Sequence, residues 1–265
     1  MKVACIQMCS GLDQDANLKN VEHWLAEAAG QGVELAVLPE TFALMGVTEE
    51  EKVASAEPQE LSSLLAFLSK QAARHKMAIV GGSILLQADN GKVRNACAVY
   101  GADGSQLSIY DKIHLFDADV GEDAYRESAI VQAGTTPCSF QLNDYSIGLS
   151  VCYDLRFPEL YRHYSQHGCN VLCVVAAFTD ITGRAHWQAL LQARAIENQA
   201  YVLASAQWGE HPDGRKTWGH SMIIDPWGKI LAELPDGDGL TCAELSIQKV
   251  RKVGQFLPVL QHRVL

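Results

Sequence analysis

Ten apolar runs, each about the length of one strand, recur along the chain and alternate with amphipathic stretches. They cover residues 2–8, 33–39, 77–86, 93–101, 106–114, 145–152, 169–178, 200–207, 219–225 and 229–234. Many, such as "VELAVLP" at 33–39 and "MAIVGGSILL" at 77–86, are apolar continuously rather than at every second residue. A strand of that kind is covered on both faces, so its sheet must lie inside the molecule with further layers above and below. Others, such as 93–100, alternate enough to belong to a mixed sheet.

The amphipathic stretches predict the covering helices. Residues 16–30 place Leu18, Val21, Trp24, Leu25 and Ala28 at helical spacing, with Asp15 or Asn17 as a possible cap and Gly30 at the end. Residues 59–75 repeat the pattern with Leu61, Leu64, Leu65 and Leu68. A shorter helix is expected from Pro158, a favoured first-turn residue. Residues 184–198 put Trp187, Leu190, Leu191 and Ala195 on one face. No Pro/Gly/Ser linker, low-complexity tract or short repeat divides the 265 residues. The expectation is a single α/β domain over residues 1–265, with sheet buried under helices.

Composition narrows the function classes. The net charge of −10, with no basic run, repels polyphosphate and argues against nucleic acid as a partner. No apolar run approaches the roughly 18 residues of a membrane span, and the N-terminus reads straight into a strand rather than a signal peptide. Eight cysteines in so long a chain do not form a disulfide scaffold; Cys97 and Cys173, for example, sit inside apolar runs. A reducing, cytoplasmic compartment is expected.

Three apolar runs end in one reactive residue each. "ELAVLPE" ends in Glu40, "QLSIYDK" reaches Lys112 and "YSIGLSVC" ends in Cys152. In α/β folds chemistry collects where strands terminate, because strand ends are rigid while loops open a pocket. Taken singly, Cys152 reads as a packed thiol, Glu40 as a solvated loop residue and Lys112 as an exposed ion pair. Brought together they would make an acyl-transfer set, in which Glu40 would take the thiol proton, Lys112 would stabilise thiolate and oxyanion, and the N–H of Tyr153 would be a second oxyanion donor; composition and spacing alone favour the single readings. Such chemistry needs no metal and no organic cofactor. His163, His167, Cys169 and Cys173 superficially suit zinc. Positions 169 and 173 of one strand lie ~13 Å apart, however, too far to share an ion. His114, His186 and His220 tempt a catalytic reading that the chemistry does not require.

"LPE" with Glu40, "YDKIHLFD" with Lys112 and "SVCYDLRFPELYR" with Cys152 resemble, in order and spacing, the three signature segments of the nitrilase superfamily of carbon-nitrogen hydrolases. The likeness continues through 176–202 and 219–230, so it covers nearly the whole chain. The resemblance implies an αββα four-layer sandwich, with Glu40 as general base, Lys112 as oxyanion stabiliser and Cys152 as nucleophile. It also implies a homodimer, paired through the face that carries the nucleophile's helix. A second glutamate is expected after the lysine; Glu127 in "YRES" matches best, with Glu122 and Asp123 as competitors. "GRKTWGHSMIIDPWG" and "FLPVLQHR" look most like amidases that act on deaminated glutathione. The ω-amidase branch, which takes α-ketoglutaramate and α-ketosuccinamate, is the alternative, and some superfamily members hydrolyse nitriles. By that resemblance the substrate is a small amide with an α-keto acid end, its carboxylate held by Arg156 and Thr182. Arg156 paired with Glu159 at the helix start is the plainer reading. Arg215 and Lys216 are candidates for holding a longer, polyanionic substrate.

Overall fold

The structure, a computed structural model, describes residues 1–121 and 123–264, and the Asp123 side chain is not among the described groups. Two sheets carry the fold. In the first, the parallel strands Lys2–Gln7, Leu35–Val37 and Ala78–Val80 lie side by side. Gly239–Glu244 flanks them on one edge and Val93–Tyr100 on the other, both antiparallel. Ile84–Gln87 and Gln106–Asp111 pair with Val93–Tyr100. In the second sheet the parallel trio is Tyr145–Val151, Val171–Ala176 and Tyr201–Ala206. Ser139–Leu142 flanks it on one edge, and Ser221–Ile224 followed by Ile230–Leu234 on the other, all antiparallel.

The continuous apolar runs follow from this layering. In the first strand Val3 and Cys5 enter the core between the sheets, while Ala4 and Ile6 pack under helices. In Val171–Ala176, Val171, Cys173 and Val175 face the other sheet, and Leu172, Val174 and Ala176 face helices. Helices Gln14–Gly30 and Ser63–His75 cover the first sheet through Val21, Leu25, Ala28, Leu65, Leu68 and Ala72. Helices Pro158–Gln166 and Asp180–Asn198 cover the second through Leu160, Tyr161, Tyr164, Trp187 and Leu191. The order helix, sheet, sheet, helix is the expected αββα sandwich.

Several sequence expectations shift. The run 77–86 is two strands, broken at Gly81-Gly82 where the chain turns with φ +52° at Gly82. The first helix is capped by Asp13, whose side chain accepts from the Ala16 N–H, rather than by Asp15 or Asn17. Leu61 is 78% exposed because it closes a 3₁₀ turn before the second helix starts at Ser63. The strand Gly239–Glu244 and helices Glu49–Ser55 and Ile247–Phe256 were not anticipated.

The break at Gly81-Gly82 reaches the site. A Cβ on Gly82 would stand 2.0 Å from the carbonyl oxygen of Pro39, the residue before Glu40. Gly82→Ala is therefore expected to lower stability by about 1–3 kcal/mol, seen as a fall of several degrees in Tm, and to lower activity with it. Gly91→Ala also places alanine at positive φ (+77°) but has nothing within 4 Å. It should fall less; equal losses in the two variants would show that strain, not the Pro39 contact, sets the cost.

Candidate active site

Both parallel trios point their carboxyl ends to the same end of the molecule, where Met8 and Gln207 bridge the sheets. Here the residues that follow the strands converge, as is usual for α/β sites. Glu40 follows Leu35–Val37 and is buried. Lys112 follows Gln106–Asp111 and is 2% exposed. Cys152 follows Tyr145–Val151 at the start of a 3₁₀ turn, with φ +49°. A β-carbon residue in that left-handed region is strained, and the surroundings must hold it there.

Asp154 does much of the holding. This fully buried carboxylate accepts from the Val151 N–H (2.9 Å) and the Tyr110 hydroxyl (2.7 Å) through one oxygen. Its other oxygen accepts from the His114 N–H (3.0 Å) and meets His114 Nδ1 at 2.7 Å. The turn that presents the thiol is thus tied to the segment that presents Lys112. His114 stacks on Phe157, ring centroids 3.7 Å apart.

The charged centre is compact. Lys112 Nζ donates to Glu127 Oε1 and Oε2 at 2.9 and 2.8 Å and to Glu40 Oε1 at 3.3 Å. Asn95 Nδ2 donates to both carboxylates, at 3.0 Å to Glu40 and 3.4 Å to Glu127. The Ala177 N–H donates to Glu40 Oε2 (2.9 Å) and the Phe116 N–H to Glu127 Oε2 (2.6 Å). Glu127, Glu40, Lys112 and Cys152 all line one cavity of about 560 Å³. Of the competitors for the second glutamate, Glu122 lies outside the described residues and the Asp123 side chain is not described.

Burial alone would lower the Lys112 pKa, but Glu127, Glu40 and the Cys152 sulfur outweigh it and hold the ammonium well above the usual lysine range. Cys152 moves the same way for a different reason. Burial and the Glu40 charge push the thiol well above its usual range, and Lys112 and the Ala177 N–H only partly offset them. One ammonium already faces two carboxylates, so a third anion is unfavourable. The resting sulfur is a protonated thiol beside a carboxylate, an arrangement suited to proton removal during attack rather than before it.

The remaining sequence candidates separate. Tyr153 packs its ring against Phe116 and Phe157, at 5.0 and 5.3 Å, with its amide directly after Cys152. Arg215 lines the cavity, whereas Lys216 pairs with Glu210 at 3.1 Å on an exposed strand. Arg156 and Thr182 do not line it. Arg156 points Nη1 at His186 Nδ1, 3.2 Å away, with the Phe178 ring 5.1 Å from its guanidinium carbon. Thr182 shares a 2.8 Å hydroxyl contact with Thr179, which does line the cavity. His114, His186 and His220 lie outside the lining. Cys173 sits in the core between the sheets and Cys169 under the helices of the second sheet, so they do not share a ligand position. No helix among the described residues is long and apolar enough to cross a membrane.

Asn95, Asp154 and the Ala177 N–H were missed from sequence. Asn95 carried one signal, a polar side chain inside the otherwise apolar "NACAVY". The raised Cys152 pKa has a direct readout. The thiolate absorbance difference between wild type and Cys152→Ser should show no step at pH about 8–9.5, where ordinary thiols lose their proton. A step near neutral pH would mean a preformed thiolate.

The carbon-nitrogen hydrolase family model matches residues 2–255. A deaminated glutathione amidase of Synechocystis sp. is 44% identical over 266 residues, covering 98% of this chain and 97% of that protein. The omega-amidase NIT2 of Homo sapiens is 34% identical over 264 residues, covering 99% and 94%. The crystal structure of Saccharomyces cerevisiae Nit3, a member of branch 10 of the nitrilase superfamily, superposes with a TM-score of 0.90 at 29% identity, covering 100% of this chain and 97% of that one. The chain belongs to the carbon-nitrogen hydrolase family, within the nitrilase superfamily.

Proposed function

We propose that the chain is one carbon-nitrogen hydrolase domain over residues 1–265 that acts as an amidase through a thioester on Cys152, with no metal or organic cofactor in the reaction. The observation that carries this reading is the contact of one buried ammonium, Lys112, with two carboxylates at the wall of the cavity that Cys152 also lines. The substrate is a small amide with an α-keto acid end. Deaminated glutathione is the preferred one, supported by the 44% identity to an amidase of that name. The alternative is an ω-amidase acting on α-ketoglutaramate or α-ketosuccinamate, supported by the 34% identity to NIT2.

In the proposed mechanism Cys152 Sγ attacks the amide carbonyl carbon as Glu40 accepts the thiol proton. Lys112 has three N–H donors. A bifurcated contact to Glu127 and a longer one to Glu40 leave one for the developing oxyanion, beside the Tyr153 N–H. Glu40 then passes its proton to the leaving nitrogen as the C–N bond breaks, leaving the acyl group on sulfur. Water attacks the thioester, Glu40 takes its proton, and the C–S bond breaks to return the thiol. Glu127 fixes Lys112 throughout. Arg156, beside Phe178 and His186, together with Thr182, and Arg215 on the cavity wall are assigned to the substrate's carboxylates, for which a planar guanidinium is suited.

A reducing, cytoplasmic setting and a homodimer complete the reading. Ile181 and Ile196, 58% and 52% exposed on the helix over the second sheet, leave apolar surface for a partner copy.

Cys152→Ala should fold with near-native Tm and release no amine from a keto-amide, while replacing Lys112 by Met should cost about a hundred- to a thousand-fold in kcat. On the wild type, kcat/KM for deaminated glutathione should exceed that for α-ketoglutaramate. Normal turnover by Cys152→Ala would refute the mechanism, and a clear preference for the shorter amide would move the assignment to ω-amidase.

A further inference from the structure

The described lining of the Cys152 cavity includes four cations, Lys52, Lys112, Arg126 and Arg215. Three are engaged. Lys112 lies between Glu40 and Glu127, Arg126 pairs with Asp119 at 2.8 Å, and Arg215 rests over the Tyr125 ring with only a long 3.9 Å contact to Asp213. The Lys52 ammonium makes no ion pair among the described residues, although Glu49 and Asp213 line the same cavity. Lys52 stands on the short helix Glu49–Ser55, and Arg215 on the turn before the strand Lys216–Trp218. Burial and the nearby Arg215 charge draw the Lys52 pKa below the usual lysine range, against the opposing pull of Glu49, Glu127 and Asp213.

Two cations that line one partly desolvated cavity repel each other, and an anion placed between them relieves that cost. We propose that Lys52 and Arg215 together form a receptor for a carboxylate that the substrate carries away from its scissile carbonyl. The inference rests on Cys152 being the nucleophile of this cavity, and it adds Lys52 to the groups that select an anionic amide. Arg215 offers a planar fork and Lys52 a point charge, and together they can hold one carboxylate from two sides. The cavity, about 560 Å³, is in the range that holds a drug-sized ligand. That carboxylate has two possible sources. The 2-oxo acid group lies on the acyl side of either proposed substrate. In deaminated glutathione a glycine carboxylate also lies on the leaving amine.

The test uses charge at constant chemistry. Alkylation of Cys152 by anionic iodoacetate is compared with alkylation by neutral iodoacetamide, in the wild type and in Lys52→Gln, Arg215→Gln and the double variant. The ratio of the two rates cancels any change in sulfur reactivity common to both reagents. The double variant should lose about tenfold or more in the iodoacetate-to-iodoacetamide ratio, each single variant less. Lys216→Gln, which removes the same charge from the neighbouring residue that pairs with Glu210, should keep the wild-type ratio. An unchanged ratio in the double variant, or an equal fall in Lys216→Gln, overturns the proposal. The source follows from kcat/KM on α-ketoglutaramate and on deaminated glutathione with a free or an amidated glycine. A loss confined to the free glycine carboxylate assigns the pair to the leaving arm, and an equal loss on all three assigns it to the 2-oxo acid. If the wild type hydrolyses none of these amides while the alkylation ratio still falls, the proposed substrate fails and the anion receptor stands.

Discussion

The site is organised by one ammonium group taken out of water. Lys112 is 2% exposed, and burying a charge so completely costs several kcal/mol unless it is paired and hydrogen-bonded. Glu127 and Glu40 supply the pairing and Asn95 bridges the two acids. The cluster then carries one net negative charge before the sulfur is counted. Burial, and then the Glu40 charge, pushes the Cys152 thiol well above its usual range, while Glu127 and Glu40 outweigh burial and hold the Lys112 ammonium well above the usual lysine range. The same arrangement is suited to the proposed chemistry, with a carboxylate beside the thiol to accept a proton and a fixed cation to meet an oxyanion.

Holding those groups together is the work of the fold. Glu40 comes from one sheet, Cys152 and the Ala177 N–H from the other, and the two parallel trios bring their carboxyl ends to a common edge. Cys152 stands in a strained conformation, φ +49°, that the Asp154 hydrogen bonds to Val151, Tyr110 and His114 help to maintain. Gly82 permits the approach of its chain to Pro39 that a side chain would block. Strain at Cys152 and close packing behind Glu40 are both cases of local cost carried by surrounding structure.

Much of the architecture was legible because burial on both faces writes itself into sequence as unbroken apolar runs, and nine of the ten such runs correspond to single strands. The exception, 77–86, contains Gly81-Gly82, whose turn a hydrophobic pattern does not register. Glu40, Lys112 and Cys152 could each be placed at a strand end, but their meeting is a tertiary event across more than a hundred residues that only the family resemblance anticipated. Asp154 and Asn95 have no periodic signature; each matters through contacts made by distant segments. Lys52 stands on a short acidic helix with no buried residue to mark it in the sequence, and its sharing of a cavity with Arg215 is a tertiary event that no spacing encodes. Arg156 and Thr182 came from resemblance alone, and each is engaged by a neighbour beyond the cavity wall.

The most direct measurement of the central claim is intact-mass and peptide mass spectrometry of wild-type protein mixed with a keto-amide and quenched in acid within the first turnover. The account predicts an added mass equal to the acyl part of the substrate, located on the peptide containing Cys152, rising before free acid accumulates and decaying as it does. Product formed at full rate with no acyl adduct at any time, or an adduct on another residue, would contradict it.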